Sequence, residues 1–158
     1  MTFENILKQW KLWNKVEDAL RSAPANKELI LESSDRDAAW ELYIHLTTTI
    51  LTQKLSDEEG TEQSALTSVY NLFGVTRDIL KRNGRKAQTF AKIAIVILNH
   101  IVRPFTAKWH RKGPSSSPEN CREFRDELVV LRSDMRRYAA LLAYLAQVQN
   151  ILDMEEET

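Results

Sequence analysis

Apolar residues recur along this chain at the three- and four-residue spacing that places them on one face of a helix. Residues 3–20 carry one such stripe, which includes Trp10 and Trp13. A second stripe extends from a helix cap at Ser34 or Asp35 to about Leu55. The pattern predicts two amphipathic helices in the first third of the chain.

The middle of the chain predicts two more helices. One opens at Thr61 and stops at Asn83-Gly84, because glycine is favoured just past a helix end. The other, residues 86–103, is apolar on every side, which is typical of a helix buried at the centre of a bundle. Pro104 lacks a backbone N–H, so we expect this helix to kink or restart there.

The last helix starts at Ser117-Pro118, a serine cap followed by proline at the first helical position. The helix runs for about 35 residues, which is longer than a compact domain of this size requires, so it folds back or packs against another subunit. Eight of its residues follow heptad spacing: Phe124, Leu128, Leu131, Met135, Tyr138, Leu142, Leu145 and Gln149. We predict an all-α, five-helix bundle with a central apolar helix and a long C-terminal helix. Residues 1–152 form a single domain, and residues 153–158 form an acidic tail.

The composition of the chain excludes some kinds of site and indicates its location in the cell. The chain has four glycines and one cysteine, Cys121, so an intrachain disulfide and a cysteine-based zinc site are excluded. The N-terminus lacks the apolar core of a signal peptide, and the longest apolar run, residues 93–98, is too short to span a membrane. We expect a cytoplasmic protein with no membrane partner.

Charge is unevenly distributed although the net charge is zero. Residues 76–112 hold ten basic residues and one acidic residue, between flanks that are both acidic. The block either packs beside acidic helices of the same chain or binds an anionic partner, such as nucleic acid or an acidic protein face. Whole-chain neutrality favours the first interpretation. Under the second, Arg82, Arg85 and Lys86 are the candidate binding residues.

One segment concentrates residues that could carry chemistry. On an unbroken helix Asn99, Arg103, Thr106 and His110 fall on one face, and Trp109 falls on the apolar face beside it. Arg103 can share a hydrogen-bonded network with Asn99, and the indole can offer a stacking surface to a nearby Lys or Arg. The simplest interpretation is structural, since an arginine beside a proline-induced kink can satisfy the freed carbonyl groups.

The same segment resembles two groups of proteins. The spacing Arg103-x6-His110 is similar to the loose R-x(4–6)-H pattern of the HEPN superfamily, which is all-helical and usually dimeric. That resemblance implies a metal-independent ribonuclease in which Arg103 stabilises the anionic transition state and His110 acts as general acid or base. Pro104 departs from the family pattern, in which the residue after the arginine is commonly polar.

The second resemblance is to poorly characterised bacterial helical proteins, some from phage-defence gene neighbourhoods. It rests on the string NHIVRPFTAKWH, whose matching residues include Asn99, Arg103, Lys108, Trp109 and His110. It implies an accessory or sensor module without a known activity. Since no phosphate loop, metal motif or nucleophile triad is recognisable, we expect no cofactor and no metal. The leading hypothesis is a non-enzymatic module that binds a protein or nucleic-acid partner and forms a homo-oligomer.

Overall fold

The computed structural model describes Asn14 and residues 31–54 and 61–156, and this part of the chain contains helices and no strand. The all-α prediction is confirmed. The predicted helix of residues 3–20 and the turn of residues 56–60 lie outside the described residues. The helices are α1 Ser33–Thr47, α2 Glu62–Asn83, α3 Gln88–Ile97, α4 Arg103–Lys112, α5 Pro118–Ala146 and α6 Ile151–Glu156.

Helix α1 packs most extensively against α5, and this pair forms the middle of the core. Its buried face includes Ala38, Leu42 and Leu46. The helix ends at Thr47, well before the predicted end near Leu55. Threonine is a weak helix former, and the hydroxyls of consecutive threonines here bond back to carbonyls of the last turn, which favours a stop.

Helix α2 has the ends that its sequence predicts. The Thr61 hydroxyl accepts a hydrogen bond from the Ser64 backbone N–H at 3.1 Å, so Thr61 is the cap. Gly84 follows the last helical residue with φ at 74°, a conformation that side chains rarely tolerate. The chain then passes through a 3₁₀ turn, Arg85–Ala87, into α3.

The run from α3 to α4 is continuous but not uniform. Phe90, Ile93, Ala94 and Ile97 are buried, whereas Ile95 is 48% exposed. The prediction that this helix is buried on every side is therefore wrong. Neighbouring helices cover one face, and the apolar residues on the opposite face remain at the surface.

The kink or restart expected near Pro104 is replaced by a π turn, Leu98–Val102, within one continuous helical run. The Arg103 N–H donates to the Leu98 carbonyl five residues back, in place of the usual partner four residues back. Pro104 thus falls in the first turn of α4, where its missing N–H costs little.

Helix α5 begins as predicted, with the Ser117 hydroxyl accepting from the Asn120 N–H at 3.1 Å. Its heptad residues from Phe124 to Leu145 are buried in this chain's own core. The helix ends at Ala146, because Gln147 adopts a left-handed conformation and turns the chain back into α6. The fold-back alternative is confirmed, and Gln149 lies outside the helix.

Helix α6 includes residues 153–156, which we predicted as part of an acidic tail. The helical run Arg85–Lys112 contains an 18-residue window with a mean hydropathy of 1.3, so it is long and apolar enough to cross a membrane by length and composition alone. Half of that window is buried in the bundle, and the core helix of a soluble protein meets the same criterion.

Candidate functional site

An open groove of about 480 Å³ runs between α2 and α4. It carries two arginines and, among the residues that line it, no acidic side chain. Helix α2 contributes five lining residues: Tyr70, Asn71, Phe73, Gly74 and Arg77. Helix α4 contributes three: Arg103, Thr106 and Ala107. We refer to it as the α2–α4 groove.

Arg103 is fixed at this groove by two contacts. Its Nε donates to Asn99 Oδ1 at 3.1 Å, and its guanidinium carbon lies 5.0 Å from the centre of the Phe73 ring. The network predicted between Arg103 and Asn99 is thereby confirmed. Among the described residues no contact occupies the two terminal nitrogens of Arg103, and that pair is the fork that binds carboxylate or phosphate oxygens.

Arg77 supplies the second cation from α2. It is exposed, and no carboxylate of the described residues pairs with it. Asn71 adds an exposed amide to the same lining. Two guanidinium groups beside a groove without a lining carboxylate make a region of positive potential that suits an anion.

Tyr70 lines the groove from α2, and His110 of α4 contacts its ring. The Tyr70 hydroxyl donates to the Thr106 carbonyl at 3.1 Å, and its ring meets the His110 ring edge-on with centroids 6.2 Å apart. His110 is exposed. Thr106, predicted on the polar row, is buried, and its hydroxyl donates to the Arg103 carbonyl. No described contact joins Arg103 to His110.

Trp109 and Lys108 have structural roles. Trp109 is 0% exposed and meets Phe124 edge-on, so its ring packs in the core. Lys108 lies over the indole and pairs with Glu123 at 2.9 Å and with Glu127 at 2.8 Å. The predicted stacking of a lysine on the indole is thus confirmed. Lys108 is held by α5, where its charge is already neutralised.

The pKa values of this cluster shift in the directions that mutual attraction requires. Hydrogen bonds to Glu127 and then to Glu123 raise the pKa of Lys108 above its ordinary value. Hydrogen bonds from Lys112 and then from Lys108 lower the pKa of Glu123. The four side chains form one ion-pair network between α4 and α5.

The other candidate cations lie away from the groove. Arg82 pairs with Glu41 of α1 at 3.0 Å, so it also has an internal partner. Arg85 and Lys86 are exposed in the 3₁₀ turn after α2 and do not line the groove. Part of the basic block is therefore matched internally by acidic residues of α1 and α5, as the first interpretation of the charge pattern proposed.

Six of the eight lining residues were not predicted as site residues, among them Tyr70, Gly74 and Arg77 of α2. These three are spaced by four and three residues, so they lie on one face of α2, a signal that the sequence contains. Their pairing with Arg103 depends on how α2 packs against α4, which no local pattern reveals. Among the described residues no cluster of three His, Cys, Asp or Glu side chains could hold a metal ion.

Comparisons with known proteins do not assign this chain to a family. No protein family, no characterised protein and no solved structure matches the chain.

Proposed function

We propose that this protein is a non-enzymatic helical module that binds an anionic partner through the α2–α4 groove. The observation that supports this most is the presence of two arginines, Arg77 and Arg103, at one groove without a carboxylate partner among the described residues. Unpaired cations that share a concave site are the usual basis of anion recognition.

Three other cations of the basic block support the same choice by contrast. Arg82, Lys108 and Lys112 bond to glutamates of this chain, and a partner would have to displace those bonds. Arg77 and Arg103 require no such exchange. Their full charge is available to an incoming anion.

The proposal is tested by binding of the full chain to labelled polyanions, namely an oligonucleotide, polyglutamate and heparin, measured by fluorescence anisotropy. We expect the double variant Arg77→Ala/Arg103→Ala to bind its best polyanion about tenfold or more weakly, because each charge-assisted hydrogen bond contributes roughly 1.5 kcal/mol or more. Arg122→Ala is the matched control, because it removes an exposed guanidinium from α5, away from the groove. Equal losses in both variants, or no loss in either, would contradict the proposal.

The biological setting is part of the same proposal. The resemblance of the string from Asn99 to His110 to bacterial defence-associated helical proteins supports an accessory or sensor role in such a system. The single cysteine is compatible with a cytoplasmic location. Self-association remains a component of this hypothesis.

A metal-independent ribonuclease of the HEPN type is the second candidate. It is favoured by one observation: His110 is exposed and contacts Tyr70, which lines the same groove as Arg103. Such an enzyme would use Arg103 on the phosphate and His110 for proton transfer, with the two residues meeting across a dimer. We expect RNA cleavage in the presence of a chelator that His110→Ala abolishes. Undiminished cleavage by that variant, or no cleavage by the unmodified chain, would exclude this candidate.

A further inference from the structure

We infer that the anionic partner is a single-stranded nucleic acid whose backbone lies against α2 at Gly74. A phosphate is held by Arg77 and Arg103, and a neighbouring base stacks on Tyr70. This inference rests on the proposed function. It adds the class of ligand and the residue, Gly74, at which the ligand approaches the helix backbone.

Gly74 has no structural reason to be glycine. It lies inside the 22-residue helix α2, where glycine is less favourable than alanine. A Cβ built on it would have no atom within 4 Å, so no neighbouring helix requires close approach there. Its φ is not positive either, since the positive-φ glycines of the described chain are Gly84 and Gly113. What distinguishes Gly74 is its position in the lining of the groove.

A glycine at that position leaves helix backbone exposed between the two cations and the aromatic ring. Arg77 follows it by about one turn on the same face, and Tyr70 precedes it by about one turn. A ligand can therefore approach the α2 backbone while its charged group reaches Arg77 and, across the groove, Arg103. Bare backbone is one of the uses for which glycine is retained at binding sites.

The aromatic residues favour a nucleic acid over an acidic peptide. Tyr70 is 38% exposed, and its hydroxyl bond to Thr106 and its contact with His110 fix the ring in place. A fixed, exposed ring beside cations is the arrangement that binds single strands, because bases stack on the ring while phosphates meet the cations. A carboxylate-rich peptide would use the arginines without needing the ring. A duplex would keep its bases stacked on one another and away from Tyr70.

The test measures binding of the full chain to a 5′-fluorescein-labelled oligothymidylate of about 12 nucleotides, a length within the usual site sizes for single strands. Four variants are compared with the unmodified protein: Gly74→Leu, Gly74→Ala, Tyr70→Leu and Arg77→Ala. Thermal unfolding of each variant is recorded alongside. Gly74→Ala serves as the folding control, because it should raise the melting temperature while adding only one methyl group to the groove.

We expect Tyr70→Leu to weaken binding about tenfold or more with the melting temperature preserved, because stacking of a single base is itself worth roughly that factor. We expect a loss of similar size for Gly74→Leu, because its side chain would cover the backbone that the ligand approaches. Gly74→Ala should weaken binding less than Gly74→Leu. Arg77→Ala should reduce the slope of log K against log salt by about 0.7, the value for one phosphate contact on a single strand.

Four results are decisive. The losses described above support the inference. Oligothymidylate binding that depends on Arg77 but is unchanged in Gly74→Leu overturns the inference and leaves the proposed function standing. The same applies if polyglutamate binds through Arg77 and Arg103 while oligothymidylate does not bind. Failure of every polyanion to bind removes both the inference and the proposed function.

Discussion

Asp35 shows how much a single buried side chain contributes to this fold. It is 1% exposed, and its carboxylate accepts from two backbone N–H groups, those of Glu32 and Phe90, each at 2.9 Å. The first bond belongs to the capping box that begins α1. The second satisfies an N–H in the first turn of α3, where Ala87 offers no capping side chain. One carboxylate therefore caps two helices.

We predict that Asp35→Ala lowers the free energy of unfolding by about 3 kcal/mol, because it removes two charge-assisted bonds and leaves the Phe90 N–H buried without a partner. Urea unfolding followed by circular dichroism measures this change. Asp37→Ala is the control, since Asp37 is exposed on the same helix and should change stability by less than about 0.5 kcal/mol. Equal effects of the two variants would refute the double-cap interpretation.

His45 makes stability depend on pH in the mildly acidic range. Burial lowers its pKa from the ordinary value of 6.5, and its Nε2 is buried without a hydrogen-bond partner among the described residues. Below pH 6.5 the unfolded chain takes up a proton at this position more readily than the folded chain, so stability falls as the pH drops. Above that value both states are neutral and the effect vanishes.

We therefore expect the unmodified protein to lose stability between about pH 7.5 and pH 5.5, and we expect His45→Leu to lose less over the same interval. Urea unfolding at the two pH values checks this. The lowered pKa values of Glu62 and Glu123 act in a separate range, below their ordinary value of 4.5. An identical pH dependence in the variant would show that another group is responsible.

Several residues whose partners are close in sequence could be predicted, whereas residues with distant partners could not. Thr61, Gly84 and Ser117 were identified as helix ends because their partners lie within a few positions of them. The bond from Asp35 to Phe90 joins positions 55 residues apart. The groove could not be predicted for the same reason, since Arg77 and Arg103 come together only when α2 packs against α4.

At the scale of whole elements, one hydroxyl group links the C-terminal helix α6 to α1. Tyr43 of α1 donates to Asn150 Oδ1 at 3.1 Å and accepts from the Ile151 N–H at 2.6 Å. The second bond occupies an N–H at the start of α6. Tyr43 thus joins α6 to the central pair of helices.

We predict that Tyr43→Phe speeds amide hydrogen exchange in α6 while the exchange of α2 stays unchanged, because the variant removes both bonds but keeps the buried ring. Exchange measured by mass spectrometry on peptides from each helix would show this. If α6 keeps its protection, packing of Leu152 in the core, where it is 3% exposed, must be sufficient to hold it.

Helix lengths were predicted less well than helix positions. The heptad stripe of α5 was identified correctly, but its end was placed too late because Gln147 is not a residue that marks a left-handed stop. The burial of α3 was overestimated for a different reason. An apolar side chain such as Ile95 permits burial but does not require it, since much of a folded surface is apolar.

At the scale of the whole molecule, the interior stripe of α5 is buried within the chain, so the predicted self-association would require another face. Val129 and Val130 are 59% and 61% exposed on the outer side of that helix. Adjacent apolar side chains with this exposure are candidates for a subunit contact. The predicted oligomer thus has a surface on which it can be tested.

We expect sedimentation to give a mass above the 18.3 kDa of one chain, and Val129→Lys/Val130→Lys to return it to that value. Two lysines on each subunit would place like charges in the contact. Val148→Lys, at an exposed apolar position outside α5, should leave the mass unchanged. A monomeric unmodified protein would contradict the prediction directly.

The π turn of residues 98–102 absorbs one residue more than a regular helix would hold between α3 and α4. Each residue advances an α-helix by about 100°, so without this wide turn Arg103 and the rest of α4 would point about 100° away from their present direction. Removing one residue from the turn would restore a regular α-helix and leave Arg103 facing the groove. Removing one residue from the regular turns of α3 would instead rotate α4 and take Trp109 out of the core. The chain can therefore lose a residue at this turn, and not elsewhere in the run, without losing the groove.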